Sequence, residues 1–210
     1  MIYLRTGLPG ASKTLNSLFE LCRDHDPARP KYYHNVKLLM LDYDIATSFS
    51  GWFYGWYFPR LKNAKAKKRL IKIMKRIHNE DEFVTLQDVP WLETFYEDHD
   101  HFETWLYWVR RCYSPKKRHQ FEETLQNATG TPAFCFDSVK HFNFHFTHFD
   151  DPKTWHQLPK TSIIFMDEVQ QYFPPRGLKA DKPKHIEMFE THRHHALTFT
   201  LSPKTPNSWM

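Results

Sequence analysis

Hydrophobic positions at the start of the chain follow first the spacing of a strand and then that of a helix. Residues 2–6 (IYLRT) form a short apolar run of strand length. Lys13 to Cys22 then repeats apolar side chains at Leu15, Leu18 and Cys22, the spacing of one buried helical face. The glycine-containing segment between them reads as a turn. The pattern therefore predicts a strand, a tight loop and a helix.

Further strands are predicted by short apolar runs elsewhere in the chain. Residues 37–42 (KLLMLD) and 162–166 (SIIFM) are compact runs of the kind that a parallel sheet covered on both faces requires. Residues 141–149 alternate phenylalanine with polar residues, which is typical of a half-buried strand. A helix is expected over 186–195, and a last strand over 196–201. These elements favour one α/β domain spanning residues 1–210, with a mostly parallel sheet and flanking helices.

The segment from about residue 43 to 126 differs from both ends and reads as a large aromatic and basic insertion, too long for an ordinary loop. Residues 62–78 predict an amphipathic helix with many lysines on its polar side, which is either solvated or a contact for nucleic acid or acidic lipid headgroups. A second helix is expected over 101–112. A patch of aromatic residues predicts either a second small core or a protein or membrane contact: Trp52, Phe53, Tyr54, Trp56, Tyr57 and Phe58.

Composition limits the function classes. Aromatic residues make up 17% of the chain, so much of its hydrophobic mass is Phe, Tyr and Trp. The formal charge of +5 permits attraction to anions. The three cysteines, Cys22, Cys112 and Cys135, are widely spaced and contain no C-x-x-C, which favours a reducing compartment over a disulfide framework or zinc site. Neither a signal peptide nor a membrane-spanning segment is expected within these residues.

Residues 7–14 (GLPGASKT) resemble the phosphate-loop pattern G-x-x-x-x-G-K-[ST]. Between a strand and a helix, this loop would direct backbone N–H groups and the positive helix end at a phosphate. Lys13 would contact the β- and γ-phosphates of ATP, and the Thr14 hydroxyl would bind Mg²⁺. Ser12 departs from the pattern, which has glycine there. The predicted nucleotide-binding residues are Gly7, Leu8, Pro9, Gly10, Ala11, Ser12, Lys13 and Thr14.

A second motif supports the first. The buried run IIFM ends in two carboxylates, Asp167 and Glu168. Asp167 would hold Mg²⁺ through water, and Glu168 would orient or deprotonate the water that attacks the γ-phosphate. The simpler reading is an ordinary polar strand end. Combined with GLPGASKT, the pair favours a P-loop NTPase-like α/β fold.

Residues 155–176 (WHQLPKTSIIFMDEVQQYFPPR) and 191–194 (THRH) resemble the zonular occludens toxin (Zot) family. The resemblance implies a P-loop fold, ATP binding, and a role in assembling and exporting filamentous phage at the bacterial inner membrane. Members of that family continue into a membrane-spanning helix and a periplasmic part, so the chain is expected to be a cytoplasmic domain anchored by a segment outside it. Expected partners are further copies of the chain and other phage assembly proteins, and phage DNA is a further candidate.

Several finer assignments follow from this resemblance. Where the family has a strand ending in Thr-Gln after the His-Arg-His, the chain offers Ser202 or Lys204 in place of the glutamine. Arg193, and secondarily Arg176, are candidates for stabilising transition-state charge. A metal site at the histidines beside Arg193 is the less favoured alternative, because no matching cysteine or carboxylate spacing accompanies them. The rival to an ATP-hydrolysing motor is a scaffold of the extrusion complex with weak or absent turnover.

Overall fold

The computed structural model describes residues 2–4, 13–23, 26–36, 40–80, 82–128, 130–173, 187–188 and 198–202. The chain divides into two compact units, Met1–Lys37 with His145–Met210, and Leu38–Phe144. The insertion predicted at about 43–126 falls within the second unit. The expectation that both units form one domain stays a prediction.

The first unit contains a five-stranded sheet in which every neighbouring pair is parallel. The strand order is β1-β5-β4-β2-β3. The chain is therefore an α/β protein with a parallel sheet, as the sequence predicted. The strands are β1 Ile2–Leu4, β2 Lys31–His34, β3 Thr147–His148, β4 Ile163–Asp167 and β5 Thr198–Ser202. Helix α1 (Lys13–Arg23) lies between β1 and β2 in the chain.

Strand β4 occupies the centre of the sheet, and its residues from Ile163 to Met166 are buried. A strand with neighbours on both sides and covered faces needs apolar residues at successive positions, which explains the unbroken IIFM run. Ile164 and Met166 pack with Phe149 and Trp155 in the core of this unit. The predicted strand ending at Asp167 is confirmed.

Two predicted strands are corrected by the structure. The strand expected at 37–42 is wrong in its described part, since residues 40–42 form a turn and Asp42 caps the next helix. The strand that enters the sheet is instead β2. Of the strand expected over 141–149, only β3 is paired. The phenylalanines of that segment are buried in alternation, as expected. Part of its backbone, however, forms hydrogen bonds outside the sheet, as where Phe144 N donates to Leu41 O.

Helix α1 is confirmed, but one residue of its predicted buried face is not. Cys22 is buried and Leu18 half-buried, whereas Leu15 is 67% exposed. Periodicity identifies the apolar side of a helix without showing how much of that side a neighbour covers. Of the helix predicted over 186–195, only Glu187 and Met188 are described, and they are helical.

The second unit is helical in its described residues. Its α-helices are α2 Tyr43–Thr47, α3 Phe49–Trp52, α4 Phe58–Arg60, α5 Ala64–Asn79, α6 Glu93–Glu97, α7 His101–Cys112, α8 Pro115–Asn127 and α9 Pro132–Val139. A π-helical segment, Phe53–Tyr57, joins α3 to α4. The helices predicted over 62–78 and 101–112 therefore exist as α5 and α7, since amphipathic periodicity over three or more turns is a strong signal.

The aromatic patch forms a second core. Trp52 and Phe53 are 2% and 0% exposed and pack with Leu70 and Ile77 of α5. The surrounding rings of Phe49, Tyr54, Trp56, Tyr57, Phe58 and Tyr96 are partly buried against this cluster. Of the two alternatives for the patch, the structure shows a small core. Short helices supply few apolar positions each, so large rings are needed to fill the space between them.

A histidine pair lies beside this core. His99 Nε2 lies 2.9 Å from the Thr104 hydroxyl, and the ring of His101 lies 4.2 Å from that of Tyr96. Burial lowers the pKa of both histidines below the usual value, and for His99 the nearby charge of His101 lowers the pKa further. Both side chains are therefore favoured in their neutral forms inside this cluster.

The packing of α3 on α2 depends on Gly51. A methyl group at that position would collide with the backbone carbonyl of Ile45, whose carbon would lie 2.8 Å away. Backbone atoms of a helix cannot move aside as a side chain can. Gly51→Ala is therefore expected to lower the free energy of unfolding by about 2–3 kcal/mol, measured by urea denaturation with tryptophan fluorescence.

Gly55→Ala is the matched control for that substitution. Its added methyl would meet the side chains of Trp108 at 2.9 Å and Met40 at 3.1 Å, and both are side chains that can shift where the Ile45 backbone cannot. A smaller loss of stability is expected. Equal losses for the two variants would contradict the importance of the α2–α3 backbone contact.

Candidate functional site

The candidate site lies at the carboxyl edge of the parallel sheet. Leu4, Leu201 and Met166 stand in one register row across β1, β5 and β4. Asp167 follows Met166, and Ser202 lies opposite Asp167 in the neighbouring strand. Because all three strands run in the same direction, the chain leaves β1 at the same edge where Asp167 ends β4. Ligands of open parallel sheets bind at this edge.

A hydrogen bond joins the two sequence motifs. The Thr14 hydroxyl donates to Asp167 Oδ2 at 2.7 Å, although the two residues are 153 positions apart. Both side chains are half-buried. Thr14 is the second residue of α1, and Lys13 is its first residue. The structure thus brings together Thr14 and Asp167, the two residues that the sequence predicts as Mg²⁺ ligands.

The orientation of this hydrogen bond fits a magnesium ion. A hydroxyl has one proton and two lone pairs, and here the proton is directed at Asp167, which leaves the lone pairs of Thr14 available to a cation. Asp167 Oδ1 accepts from the backbone N–H of Glu168 at 2.9 Å. Its remaining lone pairs can accept from metal-bound water, and Mg²⁺ commonly keeps several waters when protein oxygens bind it.

Glu168 has an unusual backbone conformation. Its φ of 50° and ψ of 40° lie in the left-handed region, which few residues other than glycine adopt. It begins a 3₁₀-helix, Val169–Gln171, and its carboxylate accepts a hydrogen bond from the Gln171 amide. The backbone therefore changes direction at Glu168, directly after β4 ends at Asp167. Residues with such backbone conformations are found preferentially at functional sites.

His34 is a residue of this edge that the sequence reasoning missed. It ends β2, stands opposite Met166, and its buried Nδ1 lies 2.9 Å from Phe149 O. Its ring meets the ring of Tyr172 edge-on at 4.6 Å. This contact packs the segment that follows Glu168 against β2. The sequence reasoning missed His34 because it placed this strand at 37–42 rather than at 31–34. The β-type run KYYH was the signal that could have located it.

The other predicted site residues lie outside the described part of the chain. These are Gly7, Leu8, Pro9, Gly10, Ala11, Ser12, Arg176 and Arg193, together with the neighbouring histidines His192, His194 and His195 and the alternative residue Lys204. Their roles stay predictions, as do those of Lys13 and Glu168.

Two features are absent from the described residues. Among them, no group of three or more His, Cys, Asp or Glu side chains is placed to hold a metal ion. In the same ranges, the structure contains no helix with the length and hydropathy required to span a membrane.

The fold and this edge define an α/β protein with an all-parallel sheet, a carboxylate at the end of its central strand and a threonine at the start of α1. Residues 117–207 match the family described as zonular occludens toxin (Zot). The resemblance read from the sequence is thereby confirmed for this part of the chain, which includes Asp167 and Glu168.

Other comparisons add less. One similar solved structure is the crystal structure of the N-terminal domain of zonular occludens toxin from Neisseria meningitidis. The match covers 98% of this chain and 67% of that one, with 18% sequence identity and a TM-score of 0.39. A TM-score this low does not establish a common fold. The comparison with curated proteins gives no match.

The backbone of Glu168 allows a test of this local geometry. A left-handed conformation costs roughly 1 kcal/mol for a residue with a Cβ and almost nothing for glycine. Glu168→Gly and Glu168→Ala both remove the carboxylate, but only glycine relieves the backbone. We expect the glycine variant to unfold with about 1 kcal/mol more free energy than the alanine variant in urea denaturation. An alanine variant as stable as the glycine variant would contradict the left-handed assignment.

Proposed function

We propose that the carboxyl edge of this sheet binds Mg²⁺-ATP in a P-loop NTPase-type site. The observation that carries the proposal is the 2.7 Å hydrogen bond between Thr14 and Asp167. It joins the last residue of the phosphate-loop motif to the first carboxylate after the buried apolar strand. A chance resemblance of either short motif would give no reason for their meeting at one sheet edge.

Each residue has a definite role in the proposed site. The backbone N–H groups of residues 7–12 and the amino end of α1 surround the phosphates, and Lys13 neutralises the β- and γ-phosphate charge. Thr14 would hold the metal directly, and Asp167 would hold it through water. The bound Mg²⁺ would neutralise charge on the phosphate oxygens and hold them in position.

Hydrolysis is the proposed reaction. Glu168 orients a water molecule and accepts its proton as the water oxygen bonds to the γ-phosphorus. The bond between that phosphorus and the β,γ-bridging oxygen breaks, which releases ADP and phosphate. Arg193, or secondarily Arg176, would stabilise charge on the transferred group from the same chain or from a neighbouring copy.

The biological role is proposed from the family resemblance. The match over residues 117–207, together with the motifs at 155–176 and 191–194, supports a part in assembling and exporting filamentous phage. The domain would act on the cytoplasmic side of the bacterial inner membrane. There it would associate with further copies of itself and with other phage assembly proteins.

A second candidate function is a scaffold that binds nucleotide without turning it over. Two observations favour it: Ser12 stands where the phosphate-loop pattern has glycine, and the Glu168 carboxylate already accepts a hydrogen bond from Gln171. The two candidates share the binding site and differ only in whether Glu168 activates water.

Binding is tested first by calorimetry with Mg²⁺-ATP. Lys13→Ala is expected to weaken binding about 10- to 100-fold, because charged hydrogen bonds to phosphate are lost. Thr14→Ala should remove the advantage of Mg²⁺ over EDTA, whereas Thr14→Ser keeps the hydroxyl and should retain it. Lys160→Ala, an exposed lysine elsewhere in the same unit, serves as the charge control. Failure of the folded wild-type protein to bind would overturn the proposed site.

Turnover separates the two candidate functions. Under the hydrolysis proposal, Glu168→Gln should lower the rate of phosphate release by a factor of about 100 to 10,000 and leave ATP affinity within a few-fold of wild type. The exposed Glu82 provides a matched control, since Glu82→Gln should change neither quantity. A wild-type protein that binds ATP and releases no phosphate above the Glu168→Gln background would favour the scaffold.

A further inference from the structure

The exposed side of α5 carries an uninterrupted stripe of positive charge. With 3.6 residues per turn, its basic residues fall within an arc of about 120° and extend along about 16 Å of the helix. α5 contains no acidic residue. We name this surface the α5 stripe; its members, all exposed, are Lys65, Lys68, Arg69, Lys72, Lys75 and Arg76.

The α5 stripe is poorly compensated within the described residues. Among those residues, one ion pair includes a member of the stripe, and it joins Arg76 to Asp88 at 3.9 Å. Its members repeat at three- and four-residue spacing, so like charges face each other along the helix and destabilise it. The burial of Leu70 and Ile77 in the second core holds the helix together nevertheless. A polyanion bound along the stripe would relieve this repulsion. The charge of the surface therefore favours an extended, negatively charged partner.

One exposed aromatic ring lies against the stripe, and a second follows it in the chain. The guanidinium carbon of Arg69 lies 3.8 Å from the centroid of the Trp91 ring. Trp91 remains 42% exposed, and Phe95, four residues further on, is 61% exposed. The stripe and Trp91 therefore form a mixed cationic and aromatic surface, and Phe95 supplies a second exposed ring in the same compact unit.

We propose that the α5 stripe, with Trp91 and Phe95, binds single-stranded nucleic acid. Lysines and arginines along a line neutralise successive phosphates, and exposed rings stack with bases. A duplex offers the same phosphates but keeps its bases stacked internally, so the rings would contribute little to duplex binding. The proposal does not depend on the nucleotide site.

An acidic membrane surface is the less favoured occupant. A helix that lies in a lipid interface buries its own apolar face among the acyl chains. The apolar face of α5 is instead turned into the protein core through Leu70 and Ile77. Of the large hydrophobic residues of α5, Ile71 is the one exposed, at 38%.

The test measures binding of a dye-labelled 20-nucleotide oligothymidine to the full chain by fluorescence anisotropy, without ATP. The stripe variant Lys65→Gln, Lys68→Gln, Lys72→Gln should bind about 100-fold more weakly at 0.1 M salt. The slope of log K against log salt should become shallower by about 2, since roughly 0.7 counterions are released per phosphate on a single strand. Glutamine keeps the helix propensity of lysine.

The control variant Lys116→Gln, Lys140→Gln, Lys160→Gln removes the same charge from exposed positions off the stripe and should change the affinity less than threefold. Trp91→Ala should weaken binding about tenfold or more, whereas Trp91→Phe retains a ring and should restore most of the affinity. Lys13→Ala should bind the oligonucleotide as wild type does, which separates this proposal from the ATP site.

Four outcomes would overturn the proposal. The first is a salt-independent or undetectable wild-type affinity, which needs no variant and therefore no assumption about folding. The second is an equal loss in the stripe and control variants. The third is duplex of the same length bound as tightly as single strand. The fourth is binding to vesicles containing anionic lipid together with no binding to the oligonucleotide, which would assign the stripe to a membrane surface.

Discussion

The parallel register of β1, β5 and β4 is the constraint on which the candidate site depends. Parallel strands end at a common edge, so Leu4 and Met166, which share one register row through Leu201, lie at the same end of the sheet. The Thr14 hydroxyl can reach Asp167 because α1 begins near that edge. An antiparallel arrangement of the same strands would separate these groups by the length of a strand.

The second unit follows a different design. Its packing combines aliphatic side chains such as Leu70 with large rings such as Trp52 and Trp105, both almost fully buried. Trp105 also donates its indole N–H to Leu41 O at 3.0 Å, so burial leaves that polar atom satisfied. The second core around Trp52 and Phe53 holds α5 in place despite the charge on its outer side. The high aromatic content is therefore mainly a packing requirement of this unit.

The two units offer different chemistry. In the proposed function, the sheet edge of the first unit provides both oxygen ligands for a cation and a phosphate site. The second unit presents positive charge along α5 and exposed rings at Trp91 and Phe95, which suit an extended polyanion in the further proposal. A phosphate-loop site binds one nucleotide through a few defined contacts, whereas the stripe would bind through many similar contacts that weaken together as salt increases.

The sequence by itself determined the elements whose signals are local. Helices α1, α5 and α7 follow from their periodicity, β4 follows from the unbroken apolar run before Asp167, and the two motifs identified candidates for a shared site. Tertiary structure decided what depends on distant partners. It placed β2 at 31–34 rather than 37–42, joined Thr14 to Asp167 across 153 residues, and put His34 against Tyr172. It also turned Glu168 into the left-handed region and made the aromatic patch a core. Periodicity records which side of an element is apolar, but only packing selects the partner that covers it.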